Sequence, residues 1–189
     1  STTKSTSNTL FYSIYLVDNN HINAFATPGK KIVVLSGLIV NCKREAELSG
    51  VIAHELVHIN ENHIMEKLTN EFGVALLISI ATGNGNAELL AEISRLISSN
   101  AFSRKLEKEA DIEAVKLLAN ANIDPTGLAD FLFKLSLGIS DLEDQLSWVS
   151  SHPNSEERAK YIVEKSEKYS YIDSSYLDSV AWKKYQLNF

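Results

Sequence analysis

Residues 51–59 of the chain read VIAHELVHI and contain the pattern H-E-x-x-H at positions 54–58. In an α-helix, side chains four residues apart differ by about 40° around the axis, so His54 and His58 project from one face. That spacing lets two imidazoles bind a single metal ion. Glu55 lies about 100° from His54, where its carboxylate can reach a nearby water molecule without binding the ion. The pentapeptide therefore predicts a zinc site with a general base beside it.

The residues on both sides of this pattern are apolar, which predicts a largely buried helix. Buried polar groups need hydrogen-bonding or metal partners, because leaving them unpaired costs free energy. The alternative interpretation is two histidines on a helix surface with an unrelated glutamate between them. The apolar setting favours the metal site over that alternative.

The composition limits the class of protein. A chain of 189 residues with 44% hydrophobic side chains suits one globular domain. The net charge is -6, from 18 basic and 24 acidic side chains, and no basic patch is evident, so nucleic acid is not an expected partner. The single cysteine, Cys42, excludes an internal disulfide and a cysteine-based zinc site.

The longest uncharged stretch, residues 72–87, is too short in its apolar part to span a membrane. Residues 74–81 fall far below the roughly 20 apolar residues that a span needs, so we interpret them as a core or lid helix. Residues 1–9 read STTKSTSNT and predict a flexible polar lead-in, followed by one domain over residues 10–189. The lack of an initial methionine suggests a trimmed or processed chain from which a signal peptide or membrane anchor was removed.

Three short β-rich runs lie between residues 10 and 35, separated by turn residues, and predict a small sheet built from short hairpins. Helical patterns follow: one long helix over about residues 44–68, a mostly helical stretch over 88–120 with a break near Asn100, a helix beginning at Asp124 and Pro125, and another over 156–168. The predicted fold class is α+β, mostly helical, with the sheet near the N-terminus.

A third zinc ligand is expected from another part of the chain, because a catalytic zinc ion usually has three protein ligands and one water. In the helix after Ser103, Glu107 falls inside the apolar arc, and Asp111 lies one turn later on the same side. A carboxylate aimed into the core must be paired or metal-bound, and a second carboxylate can orient a ligand histidine. Periodicity alone leaves open a single misplaced glutamate, and Glu113 is a weaker rival.

His63 is the other candidate from the same predicted helix. If that helix continues, His63 lies on the opposite side of the axis from His54, about 180° away. We therefore interpret it as a core or surface histidine behind the site, and not as a ligand.

Four segments, in this order, resemble the zinc metallopeptidases that include the CAAX prenyl protease, the HtpX heat-shock protease and soluble periplasmic proteases of bacterial envelope quality control. The segments are NAFATPG at 23–29 with a following strand and SGL at 36–38, HELVH at 54–58, EKEAD at 107–111 as E-x-x-x-D, and SHP at 151–153 with an arginine at 158. The resemblance covers most of the chain and implies a zincin-like metallopeptidase domain that binds one zinc ion per chain.

The resemblance also implies roles for single residues. Zinc would be bound by His54, His58 and Glu107, with Glu55 as the general base and Asp111 behind the ligands. The edge-strand residues Asn23, Ala24 and Phe25 would flank the cleft and bind extended polypeptide by strand addition.

Two later residues carry alternatives. His152 would face the metal, where it either donates a hydrogen bond to the oxyanion or occupies the open zinc position and holds the enzyme inactive. Arg158 would fix substrate carbonyls; the alternative is a surface helix cation. The aromatic tail over residues 169–189 is interpreted as a packing strap in preference to a binding segment.

The function that the resemblance implies is hydrolysis of unfolded or damaged proteins by Glu-assisted attack of zinc-bound water. The implied location is the bacterial periplasm or cell envelope, with membrane association only through a removed anchor. One alternative is a metal-binding chaperone-like or adaptor protein with little peptidase activity. Another is a metal-dependent hydrolase of non-peptide substrates.

Overall fold

The computed structural model of the chain describes residues 11–73, 101–137, 147–153, 155–171 and 177–189, together with positions 78, 82, 88, 91, 93 and 95. The predicted polar lead-in over residues 1–9 lies outside the described residues. So does the predicted core or lid helix over residues 74–81, except for Ile78, which is helical.

A three-stranded sheet forms the N-terminal part, with strands β1 (Ser13–Val17), β2 (Ala24–Thr27) and β3 (Lys31–Leu35) in the order β1-β3-β2. The three predicted strands are confirmed. Strands β2 and β3 form an antiparallel hairpin, whereas β1 runs parallel to β3. The expectation of hairpins throughout is therefore wrong at β1, because β1 pairs with the third strand and not with its neighbour in sequence.

The helices dominate the rest of the chain, as the predicted α+β class requires. The helices with described bounds are α1 (Ser36–Asn41), α2 (Glu45–Asn60), α3 (His63–Phe72), α4 (Arg104–Asn120), α5 (Gly127–Ser136), α6 (Ser147–Ser151), α7 (Ser155–Ser166) and α8 (Ser179–Gln186). Ser103 caps the start of α4 by accepting a hydrogen bond from the backbone N–H of Leu106. Within the described ranges, every helix is too short or too polar to cross a membrane.

The single long helix predicted over residues 44–68 is wrong, because the chain breaks between α2 and α3. Asn62 has a left-handed backbone conformation with φ 58°. Asparagine adopts this conformation more readily than most residues, and it interrupts the helix because the residues on either side no longer share one axis. Helical periodicity therefore does not extend from α2 to His63, the first residue of α3.

Helix α2 lies at the centre of the core and packs against α4 and α5, while α7 covers both of these helices. Helices α2 and α5 approach each other closely at two glycines. A Cβ atom on Gly50 would lie 2.6 Å from the backbone nitrogen of Leu128, and one on Gly127 would lie 2.2 Å from the carbonyl oxygen of Ala46. Because these two positions carry no side chain, α2 and α5 can pack in direct backbone contact, and this packing helps to bury α2.

Gly50→Ala is expected to lower the free energy of unfolding by about 1–3 kcal/mol, because the added methyl group overpacks the contact with Leu128. The better helix propensity of alanine offsets only about 0.5–1 kcal/mol of that loss. Urea denaturation measures the change, and Ser49→Ala is the control at the neighbouring position. A Gly50→Ala protein as stable as the unmodified protein would contradict the close approach of α2 and α5.

Helix α8 lies over α1 and holds it through polar contacts. Trp182 is buried, and its Nε1 donates a 2.9 Å hydrogen bond to the carbonyl oxygen of Cys42. Gln186 Nε2 donates to the carbonyl oxygen of Ile39 at 2.7 Å. These contacts support the interpretation of the tail as a packing strap.

Candidate active site

Four buried side chains converge at one point: His54 and His58 of α2, Glu107 of α4, and His152 directly after α6. Each offers one metal-binding atom, and these atoms lie within 4.8 Å of one another. His54 Nε2 is 3.0 Å from His58 Nε2 and 3.3 Å from His152 Nδ1. Glu107 Oε1 is 2.9 Å from His152 Nδ1 and 3.5 Å from His58 Nε2. Three imidazoles and one carboxylate are ligands that zinc prefers in proteins, so this donor set fits the predicted ion.

The residues around His152 fix its ring in the cluster. The ring stacks on Trp148 at a centroid distance of 4.4 Å and on Phe102 at 5.6 Å. The backbone N–H of Phe102 donates to the carbonyl oxygen of Ser151, which ties the segment before α4 to α6. The sequence did not single out Trp148 or Phe102, because an aromatic residue at helical spacing carries no signal beyond packing.

A network of charged groups lies behind the ligands. Asp111 Oδ1 is 2.9 Å from His54 Nδ1. Arg158 donates from Nε and Nη2 to the two oxygens of Asp111, each at 2.8 Å, and its Nη1 contacts Glu107. Tyr161 donates its hydroxyl hydrogen to Asp111 as well. The sequence did not identify Tyr161, which lies one turn after Arg158 in α7.

Burial decides between the alternatives that the sequence left open here. Glu107 is 2% exposed and Arg158 is 3% exposed, so neither the misplaced glutamate nor the surface cation is correct. The guanidinium of Arg158 is engaged by two carboxylates, and its contact with substrate carbonyls stays a prediction. Glu113, the rival of Glu107, instead pairs with Lys116 on the partly exposed face of α4.

The electrostatics keep Asp111 and Glu107 ionised and His58 neutral. Burial raises the pKa of Asp111, but Arg158 and His54 lower it by more, and the net pKa lies below its ordinary value. The pKa of Glu107 lies well below its ordinary value, because His152 and Arg158 outweigh the effect of burial. Burial lowers the pKa of His58 well below its ordinary value, so its lone pair stays available to a cation.

Glu55 lies between the cluster and the sheet. Its Oε2 accepts a 2.8 Å hydrogen bond from the backbone N–H of Ala26 in β2, and its Oε1 lies 3.3 Å from His152 Nε2. The side chain is 1% exposed. The predicted general base is thus next to the metal-binding atoms without being one of the four.

The predicted substrate strand is an edge of the sheet. Leu35 N donates to the carbonyl oxygen of Asn23, and this pairing alternates along β2, so the backbone groups of Phe25 face β3. Those of Ala24 and Ala26 face away from β3. Asn23 and Ala24 are buried as whole residues, backbone included, and Phe25 is half-buried.

His63 is buried behind the cluster and is not one of its four members. Its Nδ1 lies 3.1 Å from His58 Nδ1, and its Nε2 lies 3.8 Å from Glu109 Oε2. Burial lowers the pKa of His63 below its ordinary value. His63 therefore lies behind the site, as predicted. The predicted position opposite His54 on one continuous helix is wrong, because Asn62 separates α2 from α3.

Comparison with known proteins identifies metallopeptidases as relatives, in agreement with the metal-binding side chains of this site. The family model described as Peptidase family M48 matches residues 2–166. The chain is 34% identical over 154 residues to the mitochondrial metalloendopeptidase OMA1 of Arabidopsis thaliana, covering 81% of the chain and 31% of that protein.

Two bacterial relatives are similar as well. The beta-barrel assembly-enhancing protease of Yersinia pestis is 31% identical over 156 residues, covering 75% of the chain and 30% of that protein. The metalloprotease LoiP of Escherichia coli is 31% identical over 159 residues, covering 80% and 60%. The chain spans less than two thirds of the length of each of these relatives. The chain belongs to peptidase family M48, as the resemblance to zinc metallopeptidases predicted.

Proposed function

We propose that the chain is the catalytic domain of a zinc endopeptidase that cleaves unfolded or damaged proteins. The observation that carries this proposal is the convergence of His54, His58 and Glu107 with the carboxylate of Glu55 beside them. Membership of peptidase family M48 shows that the chain is a metallopeptidase. The three imidazoles and one carboxylate of the cluster support zinc as its metal. A bound zinc ion supplies Lewis acidity, which acidifies water and polarises a peptide carbonyl.

Glu55 moves the proton in this mechanism. It takes a proton from the attacking water as the new bond from oxygen to the carbonyl carbon forms, and gives it to the leaving amine as the C–N bond breaks. The backbone N–H of Ala26 holds Oε2, which leaves Oε1 for the transferred proton. The pair Asp111 and Arg158 holds His54 and Glu107 in place from behind.

The place of β2 at the edge of the sheet supports an extended polypeptide as the substrate. The backbone groups of Ala24, and the carbonyl of Ala26, point away from β3 and would pair with an added strand once exposed, since both residues are buried in this structure. Such pairing reads the main chain and not side chains, so it favours unfolded segments over one particular sequence. A plain sheet edge without a ligand is the competing interpretation.

A protein-substrate panel tests the proposal. We expect the zinc-loaded protein to cleave casein or a reduced and alkylated protein, and to leave the same protein intact when it is folded. Removal of zinc with a chelator should stop cleavage, and readdition should restore it. Zinc uptake without cleavage of any unfolded substrate would favour the chaperone-like or adaptor alternative.

We propose that His152 occupies the fourth metal position in this arrangement and holds the enzyme inactive while it does so, so that the unmodified protein cleaves through a minor open state. Two distances support this role over oxyanion donation. Its Nδ1 lies 3.3 Å from His54 Nε2 and 2.9 Å from Glu107 Oε1, among the metal-binding atoms, while its Nε2 covers Glu55. A ring in that position excludes both water and a substrate carbonyl.

His152→Ala is therefore expected to raise turnover at saturating zinc. If the open arrangement is a minor state, populated at about 10% or less, the gain is about tenfold or more. Initial rates of peptide cleavage measure it, with His21→Ala at an exposed histidine as the control. A fall in turnover would contradict the blocking role and support oxyanion donation.

We further propose that the protein acts in envelope protein quality control in a bacterium. The name of the Yersinia pestis relative, a beta-barrel assembly-enhancing protease, supports this setting, and the name of the Escherichia coli relative, the metalloprotease LoiP, supports the peptidase. The name of the Arabidopsis thaliana relative places that protein in mitochondria. Immunodetection of the protein in periplasmic and membrane fractions tests the location, and recovery in the cytoplasmic fraction alone would contradict it.

A further inference from the structure

We propose that His63, supported by Glu109, is a positioning residue that fixes the tautomer and ring orientation of the ligand His58. The proposal rests on the proposed function, because it assigns a support to one ligand of the same metal. It adds a second arm to the network behind the site, independent of Asp111 and Arg158.

The two nitrogens of His58 face different surroundings. Its Nε2 points into the cluster, 3.0 Å from His54 Nε2, whereas its Nδ1 lies 3.1 Å from His63 Nδ1. The two rings are 5.1 Å apart at an interplanar angle of 72°, so they meet at their edges and not by stacking. On the far side of His63, Nε2 lies 3.8 Å from Glu109 Oε2.

The contact between the two Nδ1 atoms has only one chemically consistent direction when Nε2 of His58 binds a cation. A neutral imidazole carries one N–H, so metal binding through Nε2 places the hydrogen of His58 on Nδ1. That N–H donates to the lone pair of His63 Nδ1. The hydrogen of His63 must then be on Nε2, where it faces the carboxylate of Glu109. The carboxylate at one end thus favours the tautomer that the metal needs at the other.

At His54, a carboxylate fixes the ring directly, without a second histidine between them. His54 Nδ1 lies 2.9 Å from Asp111 Oδ1, so a carboxylate contacts that ring without an intermediate. At His58 the intermediate is His63, and its carboxylate comes from α4, the helix that also carries Glu107. Helix α4 therefore supplies both the proposed ligand Glu107 and, on the side of His63, the carboxylate of Glu109.

The break at Asn62 is what brings His63 to this position. In a continuous helix, a residue five positions after His58 would lie about 140° away around the axis and could not face its ring edge. The left-handed conformation of Asn62 redirects the chain so that His63 begins α3 against α2.

Two substitutions of nearly equal shape test the hydrogen bond. In His63→Asn the side-chain oxygen is attached through the same number of bonds as Nδ1 and can accept from His58. In His63→Leu a methyl group takes that place. Zinc dissociation constants are measured by competition with a chelating indicator, and unfolding of the zinc-free proteins in urea checks the fold.

We expect His63→Leu to weaken zinc binding by about 10- to 100-fold, and His63→Asn to bind about tenfold more tightly than the leucine variant. Equal affinities of the leucine variant and the unmodified protein, or equal losses in both variants, would overturn the role of His63. If the unmodified protein takes up no zinc, the proposed function fails together with the role of His63. If it binds zinc and the variants bind equally well, only the role of His63 fails.

Glu109→Ala is the second test, at a partly exposed position where a fold defect is not expected, and it carries the test if His63→Leu does not fold. Glu113→Ala is its matched control, one turn later on α4, with side-chain exposures of 44% and 39% for the two glutamates. We expect weaker zinc binding in Glu109→Ala alone. Unchanged zinc affinity in this variant would overturn the part assigned to Glu109, and with an unfolded leucine variant it would overturn the whole proposal.

Discussion

Glu55→Gln is expected to lower the turnover number for peptide cleavage by about 10²- to 10⁴-fold while leaving zinc uptake unchanged. The amide keeps the shape of the side chain and can still accept the hydrogen bond from Ala26. It cannot take a proton from water at neutral pH, so the attack on the carbonyl carbon loses its base. Steady-state cleavage of an unfolded protein, together with zinc content, measures both parts of the expectation.

Glu61→Gln is the matched control, because Glu61 is an exposed glutamate at the C-terminal end of α2. It should cleave and bind zinc like the unmodified protein. If Glu55→Gln retains cleavage, Glu55 is not the base and the proposed mechanism is wrong. If it loses zinc together with activity, the loss reports damage to the metal site and not the absence of a base.

Arg158→Met is expected to lower the free energy of unfolding of the zinc-free protein by about 3–5 kcal/mol at neutral pH. The substitution keeps much of the apolar volume but leaves Glu107 and Asp111 ionised and buried without their common cation. Urea denaturation with excess chelator measures the loss. Lys160→Met on the same helix removes only an exposed pair with Glu156, so we expect a change of about 0–1 kcal/mol there.

The pH dependence follows from the lowered pKa of Asp111. A carboxyl group whose pKa is lower in the folded state stabilises the fold above its ordinary pKa, near 4, and this stabilisation is lost as the pH falls toward the lowered value. Without Arg158, this lowering is weaker and protonation begins at higher pH. The difference between the variant and the unmodified protein should therefore be constant from pH 7 to about pH 5 and shrink below about pH 4, where Asp111 of the variant takes up its proton first. A difference independent of pH would contradict the charge argument.

Local sequence patterns predicted the parts of the site that lie within one helix. His54 and His58 share a face because of their spacing, and Glu107 and Asp111 were found because both lie on the apolar side of α4. These predictions needed no knowledge of the rest of the chain. The structure confirms that His54 and His58 are buried on α2 and that Glu107 and Asp111 are buried on α4. The zinc roles of these residues remain proposals.

The parts that failed depend on contacts between distant residues or on a single backbone conformation. The pairing of β1 with β3 is set by the packing of the sheet, and nothing in β1 itself reports it. The left-handed Asn62 changed the direction of the chain and with it the surroundings of His63. The only sequence signal was an asparagine within an otherwise helical pattern, which also occurs in unbroken helices. Arg158 could be aligned with a motif, but its carboxylate partners are visible only once α4 and α7 pack together.

The hydrogen bond from Ala26 to Glu55 makes the outer edge of β2 uneven along its length. A peptide that pairs with this edge meets an amide of Ala26 that is already engaged, so the peptide carbonyl opposite it gains no partner from the strand. In such a pairing, that unpaired carbonyl would lie beside Glu55, which accepts from the same amide. The cut would therefore fall at a fixed distance along the backbone from the paired residues, whatever side chains the peptide carries. An enzyme built this way would tolerate many sequences and still give fragments with a regular register.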